Sequence, residues 1–380
     1  MIFTPSVMDE PGSIMEESKK LERTIEIEGG KIALKTRTID GLSHSFYLTH
    51  AQNTEKVLDA ASTSFLSDVS AVPGLYAATF LYEKGHEKTI IRNDFIINKS
   101  NKIELLQIDN IADEENYRID QYDIGSDTTF IVFNATNTDK ASPIFGLKFL
   151  LTSGYNVIAC RQNKDQFQGL SFENFSKHVK PLVQGKTVFT YGNSLGAYAA
   201  LYYAGAVDAN VISSAPRNSS HPAYMKMRGR KASSAPHKFV HREMTENPTT
   251  SGDVFIFIDP HNKLDMFTLE HIVSPAYPRH TLVECEHAGH QVLYHINRTG
   301  QLPGLLKNIV EGNHSALALD ENLHSRFTDM GKTRHLIRKK QYDKAKLHAQ
   351  RVLESPRLPR NRRRTAERLL TRIDELKSQA

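Results

Sequence analysis

The rhythm of hydrophobic and polar positions changes twice along the chain. Between residues 24 and 118 short apolar runs alternate with turn signals. Tyr76, Ala78, Phe80 and Tyr82 occupy every second position, so they share one face of an extended strand, and Lys84-Gly85 offers a turn before Lys88-Thr89-Ile90-Ile91. This pattern predicts a small β-rich domain over residues 24–118, a sandwich with the immunoglobulin-like form among its options. Residues 1–23 precede it as an N-terminal extension.

From about Asp127 the apolar runs lose their alternation. Residues 128–133, 155–160, 186–191, 210–213, 254–258 and 281–285 are nearly continuous in apolar character, with helix-like segments between them. Unbroken runs of this kind suit strands buried on both faces, which predicts an α/β domain over residues 119–312, a mostly parallel sheet with helices on both sides. Beyond it, residues 313–380 have helix-forming composition. Leu369, Leu370, Ile373 and Leu376 fall on one helical face, and Pro356 and Pro359 separate that helix from the one before. The stretch Gln341 to Ala345 with Val352-Leu353 resembles a single tetratricopeptide-type hairpin, without a second copy.

At 380 residues the chain exceeds one ordinary domain, and 39% hydrophobic residues suffice for a buried core. No run approaches the ~18 apolar residues of a transmembrane helix, and the first residues are acidic where a signal peptide would be apolar. A cytoplasmic protein is expected. The formal charge of +5 is unevenly placed: residues 313–380 hold 17 Lys and Arg against 8 Asp and Glu. The basic character therefore belongs to the tail, where Arg357, Arg360 and Arg362-Arg363-Arg364 could meet an anionic partner. The rest of the chain has no dense basic stripe, which argues against a nucleic-acid-binding body. Two cysteines, Cys160 and Cys285, both close apolar runs and read as reduced buried thiols. No metal-ligand or phosphate-loop pattern occurs, so no cofactor is expected.

The chemistry concentrates at Tyr191-Gly192-Asn193-Ser194-Leu195-Gly196, a G-x-S-x-G between an apolar strand and the small-residue segment Ala197-Tyr198-Ala199-Ala200-Leu201. A serine held on a tight strand-to-helix turn needs small residues two positions before and after it, because helix and strand approach there. Gly192 and Gly196 meet that requirement. The helix that follows directs its free N–H groups and positive end toward the serine, which favours attack on an acyl carbonyl.

GNSLGAYAAL resembles the nucleophile elbow of α/β-hydrolase-superfamily esterases and acyltransferases, and the resemblance covers residues 125–300, about half the chain. It implies an α/β-hydrolase fold with Ser194 as nucleophile, followed in chain order by an acid and a histidine. The acid is expected just beyond residues 254–258, where Asp265 is preferred over Asp259, since Asp259-Pro260 reads as turn initiation. His290, after Gly289, is the expected base, with His287 second. The oxyanion would be held by the backbone N–H of Leu195 and a second N–H from residues 134–137, assigned to Ala135. That loop lacks the His-Gly-Gly pattern of many lipases.

Asn193 and Arg161 are candidate substrate contacts, Arg161 because it follows a strand at the edge where such sheets bind ligands. Residues 216–247 stand where hydrolases place a cap, and their polarity disfavours a lipid pocket. The first functional reading is a serine hydrolase of a small or polar carboxylic ester. The second is an acyltransferase onto an alcohol, such as a surface-glycan hydroxyl, through the same acyl-enzyme. The third is a non-catalytic binding protein built on the same fold.

Overall fold

The structure, a computed structural model, describes residues 22–37, 43–50, 53–57, 64–84 and 86–379. The expected extension over residues 1–23 lies outside them except for its last two residues, as does Gly85 of the expected turn. The chain forms two compact units. The first comprises residues 1–111, 120–130 and 145–159, and the second residues 112–119, 131–144 and 160–380.

The first unit holds two antiparallel sheets. One is ordered β1 (Arg23–Glu28), β2 (Lys31–Thr36), β5 (Ser64–Ser70); the other is β4 (Asn53–Val57), β3 (Ser43–His50), β6 (Gly74–Lys84), β7 (Glu87–Ile97), β8 (Ile103–Leu105). Gly29 and Gly30 join β1 to β2 at φ of 57° and 77°, a two-residue hairpin turn that side-chain-bearing residues resist. The alternation on β6 has its expected result: Tyr76, Ala78, Phe80 and Tyr82 are all buried. They share one apolar cluster with Ile25, Ile32 and Leu34 of the smaller sheet, and the Tyr82 hydroxyl lies 3.0 Å from Thr36 Oγ1. Two sheets around a common core make a sandwich.

An eight-stranded sheet runs in the order β16-β15-β14-β13-β11-β12-β10-β9. Its strands are β9 (Gln107–Asp113), β10 (Tyr117–Asp123), β11 (Thr128–Phe133), β12 (Asn156–Gln162), β13 (Thr187–Asn193), β14 (Asn210–Ser214), β15 (Val254–Ile258) and β16 (Thr281–Glu284). The boundary expected at residues 118/119 thus falls inside β10. Strands β13 to β16 pair in parallel, and β12 and β15 are buried along their whole length, the physical reason that their sequences do not alternate. The order turns back at β11, which lies between β12 and β13. Loops leaving two adjacent strands on opposite courses open a crevice at their carboxyl ends. Residues 134–137 leave β11 there, and Ser194 leaves β13.

The second unit carries α2 to α10, the short α1 (Leu147–Thr152) belonging to the first. In order they are α2 (Phe172–Val179), α3 (Leu195–Val207), α4 (Pro222–Met227), α5 (Lys263–Thr268), α6 (Val292–Arg298), α7 (Leu302–Val310), α8 (Arg326–Arg338), α9 (Tyr342–Glu354) and α10 (Arg360–Ser378). Helix α2 runs directly into a 3₁₀ turn at Lys180–Val183. Helix α3 is apolar on every side because it is covered on every side; only Gly205 and Val207 escape full burial. The tail helices pack on one another, with Ile373 against Ala345 and Ala349, and Leu369 against Met330 and Val352. Among the described residues no helix is long and apolar enough to cross a membrane.

Candidate active site

Ser194 stands between β13 and α3 at φ 58° and ψ −116°, a conformation that costs a non-glycine residue on the order of 1–3 kcal/mol. The surroundings hold it there. Its N–H donates to Ser214 O at 2.9 Å, and its own carbonyl accepts from Tyr198 N at 3.1 Å and Arg217 N at 3.0 Å. The two glycines of the motif are sterically obligatory. A Cβ on Gly192 would lie 2.1 Å from the Gly196 backbone, and one on Gly196 would lie 2.2 Å from Phe133 O. Both collisions are with backbone, which cannot swing aside. Gly192→Ala and Gly196→Ala are therefore expected to lower stability by about 3 kcal/mol or more, measurable by chemical denaturation.

Three side chains from separate loops converge. His290 Nε2 is 2.8 Å from Ser194 Oγ, and His290 Nδ1 is 2.9 and 3.0 Å from the two carboxylate oxygens of Asp265. Asp265 is fully buried in the first turn of α5, while His290 keeps 22% of its side chain exposed. A carboxylate at Nδ1 fixes the tautomer that leaves Nε2 able to accept the serine proton. The fold is that of an α/β-hydrolase.

Within this hydrolase fold Asp259, the alternative acid, has a different position. Its Oδ2 accepts from Gly289 N at 2.6 Å and its Oδ1 from His261 N at 2.9 Å. It pins the loop that presents His290 and makes no hydrogen bond to the imidazole. His287, the second choice for base, stacks on His261 with centroids 4.6 Å apart.

Two further side chains hold the Asp265 carboxylate. Arg217 donates through Nε to Asp265 Oδ1 at 3.1 Å and forms an ion pair with the same oxygen through its terminal nitrogen. Asn262 donates to Asp265 Oδ2 at 2.5 Å while its own oxygen caps α5 by accepting from Leu264 N. The Asn-x-x-Asp spacing at the start of a helix could have revealed Asn262. Arg217 lies far from Asp265 in sequence and only the fold brings them together.

Leu195 opens α3 directly after Ser194, and Ala135 stands two residues beyond the end of β11. Gly196 brings the start of α3 against Phe133 and Asn134, next to Ala135. Among the described residues, no protein acceptor takes the backbone N–H of either Leu195 or Ala135. Gln162, buried at the end of β12, braces this loop by donating to Thr138 O at 2.8 Å. Arg161 is buried and its Nε donates to Ser142 O at 3.0 Å, so it fastens a loop as well as bordering the crevice. Asn193 is also buried, and among the described residues its side-chain oxygen has no partner.

The segment over residues 216–247 is anchored by its histidines. His221 caps α4 and contacts Glu243 at 3.2 Å, and His241 stacks on Tyr202 at 4.4 Å while its Nε2 donates to Phe167 O. Burial pushes both imidazoles below their ordinary range. Cys160 and Cys285 are buried thiols outside any disulfide, and burial pushes the Cys285 thiol up to about 12. Neither should react with a thiol-specific disulfide reagent until the protein is unfolded.

No family model matches the chain, and no curated protein does. Solved structures similar to it include a lidless α/β serine hydrolase from Xanthomonas campestris, at 16% identity and a TM-score of 0.31, covering 57% of this chain and 96% of that one. The ferulic-acid-bound Est1E of Butyrivibrio proteoclasticus is 12% identical, with a TM-score of 0.35 over 53% of this chain and 99% of that one. Acetyl xylan esterase 1 from a Thermoanaerobacterium is 12% identical, with a TM-score of 0.34 over 64% of this chain and 82% of that one.

Proposed function

We propose that the protein is a serine hydrolase that cleaves a carboxylic ester through an acyl-enzyme on Ser194. The observation that carries this reading is the continuous relay from Ser194 Oγ through His290 to the buried Asp265. His290 accepts the hydroxyl proton as Ser194 attacks the carbonyl, and returns it to the leaving alkoxide. Water, activated by the same imidazole, then releases the acid. The N–H groups of Leu195 and Ala135 hold the oxyanion in both steps.

The substrate reading can be made more specific. A cavity of about 170 Å³ is lined by His290 and Gln291 together with Arg326, Arg334 and Arg362 of the tail. Among the described residues none of these arginines has a carboxylate in ion-pair range. Burial, then the charges of Arg362 and Arg338, hold Arg334 below its ordinary range. Cations gathered without counter-charges beside the base favour an ester that carries an anionic group, and this gives the basic tail its partner. Arg334→Gln should raise KM about tenfold for p-nitrophenyl hemisuccinate and leave p-nitrophenyl acetate unchanged. Equal effects on both esters would remove the anionic specificity.

The reading as a whole is tested with a fluorophosphonate probe. Wild type should gain a single adduct, mapped to Ser194 by mass spectrometry, and Ser194→Ala none. Labelling no better than that of the variant would leave the fold as a binding scaffold. With labelling established, turnover of p-nitrophenyl acetate in the presence of sugar alcohols separates hydrolysis from transfer. Free acetate as the sole product supports hydrolysis, and an acetylated sugar would assign transfer.

A further inference from the structure

Behind the triad, three histidines from three different elements meet. His261 lies in the loop from β15 to the helix bearing Asp265, His287 in the loop bearing His290, and His335 on α8. Their ring centroids are 4.6 Å apart for His261 and His287, 4.8 Å for His287 and His335, and 5.5 Å for His261 and His335. One ring nitrogen from each lies within 4.8 Å of the others. Among the described residues none of these imidazoles has a hydrogen-bond partner. Glu286 approaches His261 at 3.9 Å and His287 at 3.8 Å, beyond hydrogen-bond length. The contact of α8 with the His287 loop is close, since a Cβ on Gly331 would lie 1.9 Å from His287 O.

We propose that His261, His287 and His335 form a binding site for a borderline divalent cation of the zinc class, with the Glu286 carboxylate or water as fourth ligand. Imidazole is a preferred ligand for such cations, and three imidazoles with one oxygen make an ordinary four-coordinate set. Tetrahedral coordination at about 2.0–2.1 Å places ligand nitrogens about 3.3 Å apart, so the rings close by roughly 1.5 Å at most. His261 is exposed, and His287 and His335 are half-buried. Coordination needs neutral imidazoles, and His287 is held below its ordinary range by burial first and then by the charges of His261 and His335.

The consequence is mechanical. The cation would tie the loop carrying the acid's helix, the loop carrying His290 and helix α8 into one joint, without touching Ser194. Its role is to hold these elements, and no catalytic step runs through it.

The test uses the full chain stripped with a chelator and titrated calorimetrically with Zn²⁺. Wild type and Ser194→Ala should each bind one equivalent with equal affinity, which keeps this result independent of the hydrolase reading. His261→Asn and His335→Gln should each weaken binding about tenfold or more, and the double variant should lose the site. Co²⁺ in place of Zn²⁺ should give the strong visible absorption of four-coordinate cobalt in wild type and in Ser194→Ala, and not in the double variant. Absence of Zn²⁺ binding by folded wild type would overturn the site. So would unchanged affinity in His261→Asn, an exposed position whose replacement leaves the fold intact, because the cation would then sit on other histidines.

Discussion

Ser194→Ala is expected to lower kcat/KM for p-nitrophenyl acetate by about 10⁴-fold or more while the protein remains folded. The hydroxyl is the only group lost, and it is the group that would form the covalent bond. What survives is whatever the oxyanion N–H groups contribute by binding, so a small residual rate above water is expected rather than none. Folding should improve slightly if anything: Ser194 N still donates to Ser214 O, and no buried group is left unsatisfied except His290 Nε2, which solvent reaches. Steady-state kinetics beside a thermal melt check both halves. A loss under tenfold at unchanged melting temperature would mean that another group attacks the ester.

The elbow was legible because its constraint is local. Two glycines flanking a serine between an apolar strand and a small-residue helix leave few other structures, and the clashes that a Cβ would make at Gly192 and Gly196 are the reason those glycines stand there. The alternation on β6 was legible for the same reason, one face buried and one not. The carboxylate that meets His290 was half legible: its strand was evident, but Asp259 and Asp265 follow it within a few residues, and choosing between them depends on which way a loop turns. The reach of β9 and β10 into the large sheet was not legible. β9 is polar and exposed along most of its length, with Ala112 its only buried residue, so it lacks the continuous apolar run that marks the central strands. Least legible were contacts made across the chain: Arg217 on Asp265, the tail arginines beside His290, and His335 against His261 and His287. Composition located the basic tail without indicating that it folds into the same unit as Ser194.

The two aspartates separate cleanly by substitution. Asp265→Asn should lower kcat about 10⁴-fold, because an amide cannot serve the donors that now surround the carboxylate. Arg217 and His290 Nδ1 both use Oδ1, and His290 and Asn262 both reach Oδ2. An asparagine must turn its NH₂ toward one set, setting donor against donor. If it faces His290, the imidazole adopts the other tautomer and Nε2 no longer accepts the serine proton. The same change removes the counter-charge of Arg217, whose side chain is only 17% exposed, at a cost of up to about 3 kcal/mol. Activity must therefore be compared at a temperature where both proteins are folded, with denaturation curves measured in parallel. Asp259→Asn keeps an acceptor oxygen for the Gly289 or the His261 N–H and disturbs only the loop's anchorage, so its kcat should fall about tenfold at most. The reverse ranking would transfer the acid's role to Asp259 and require the His290 loop to rearrange. Arg217→Gln completes the argument, since Arg217 and His290 share one carboxylate oxygen. If the guanidinium serves to position Asp265, kcat should fall at unchanged KM. If it only balances charge, stability should fall with kcat nearly intact.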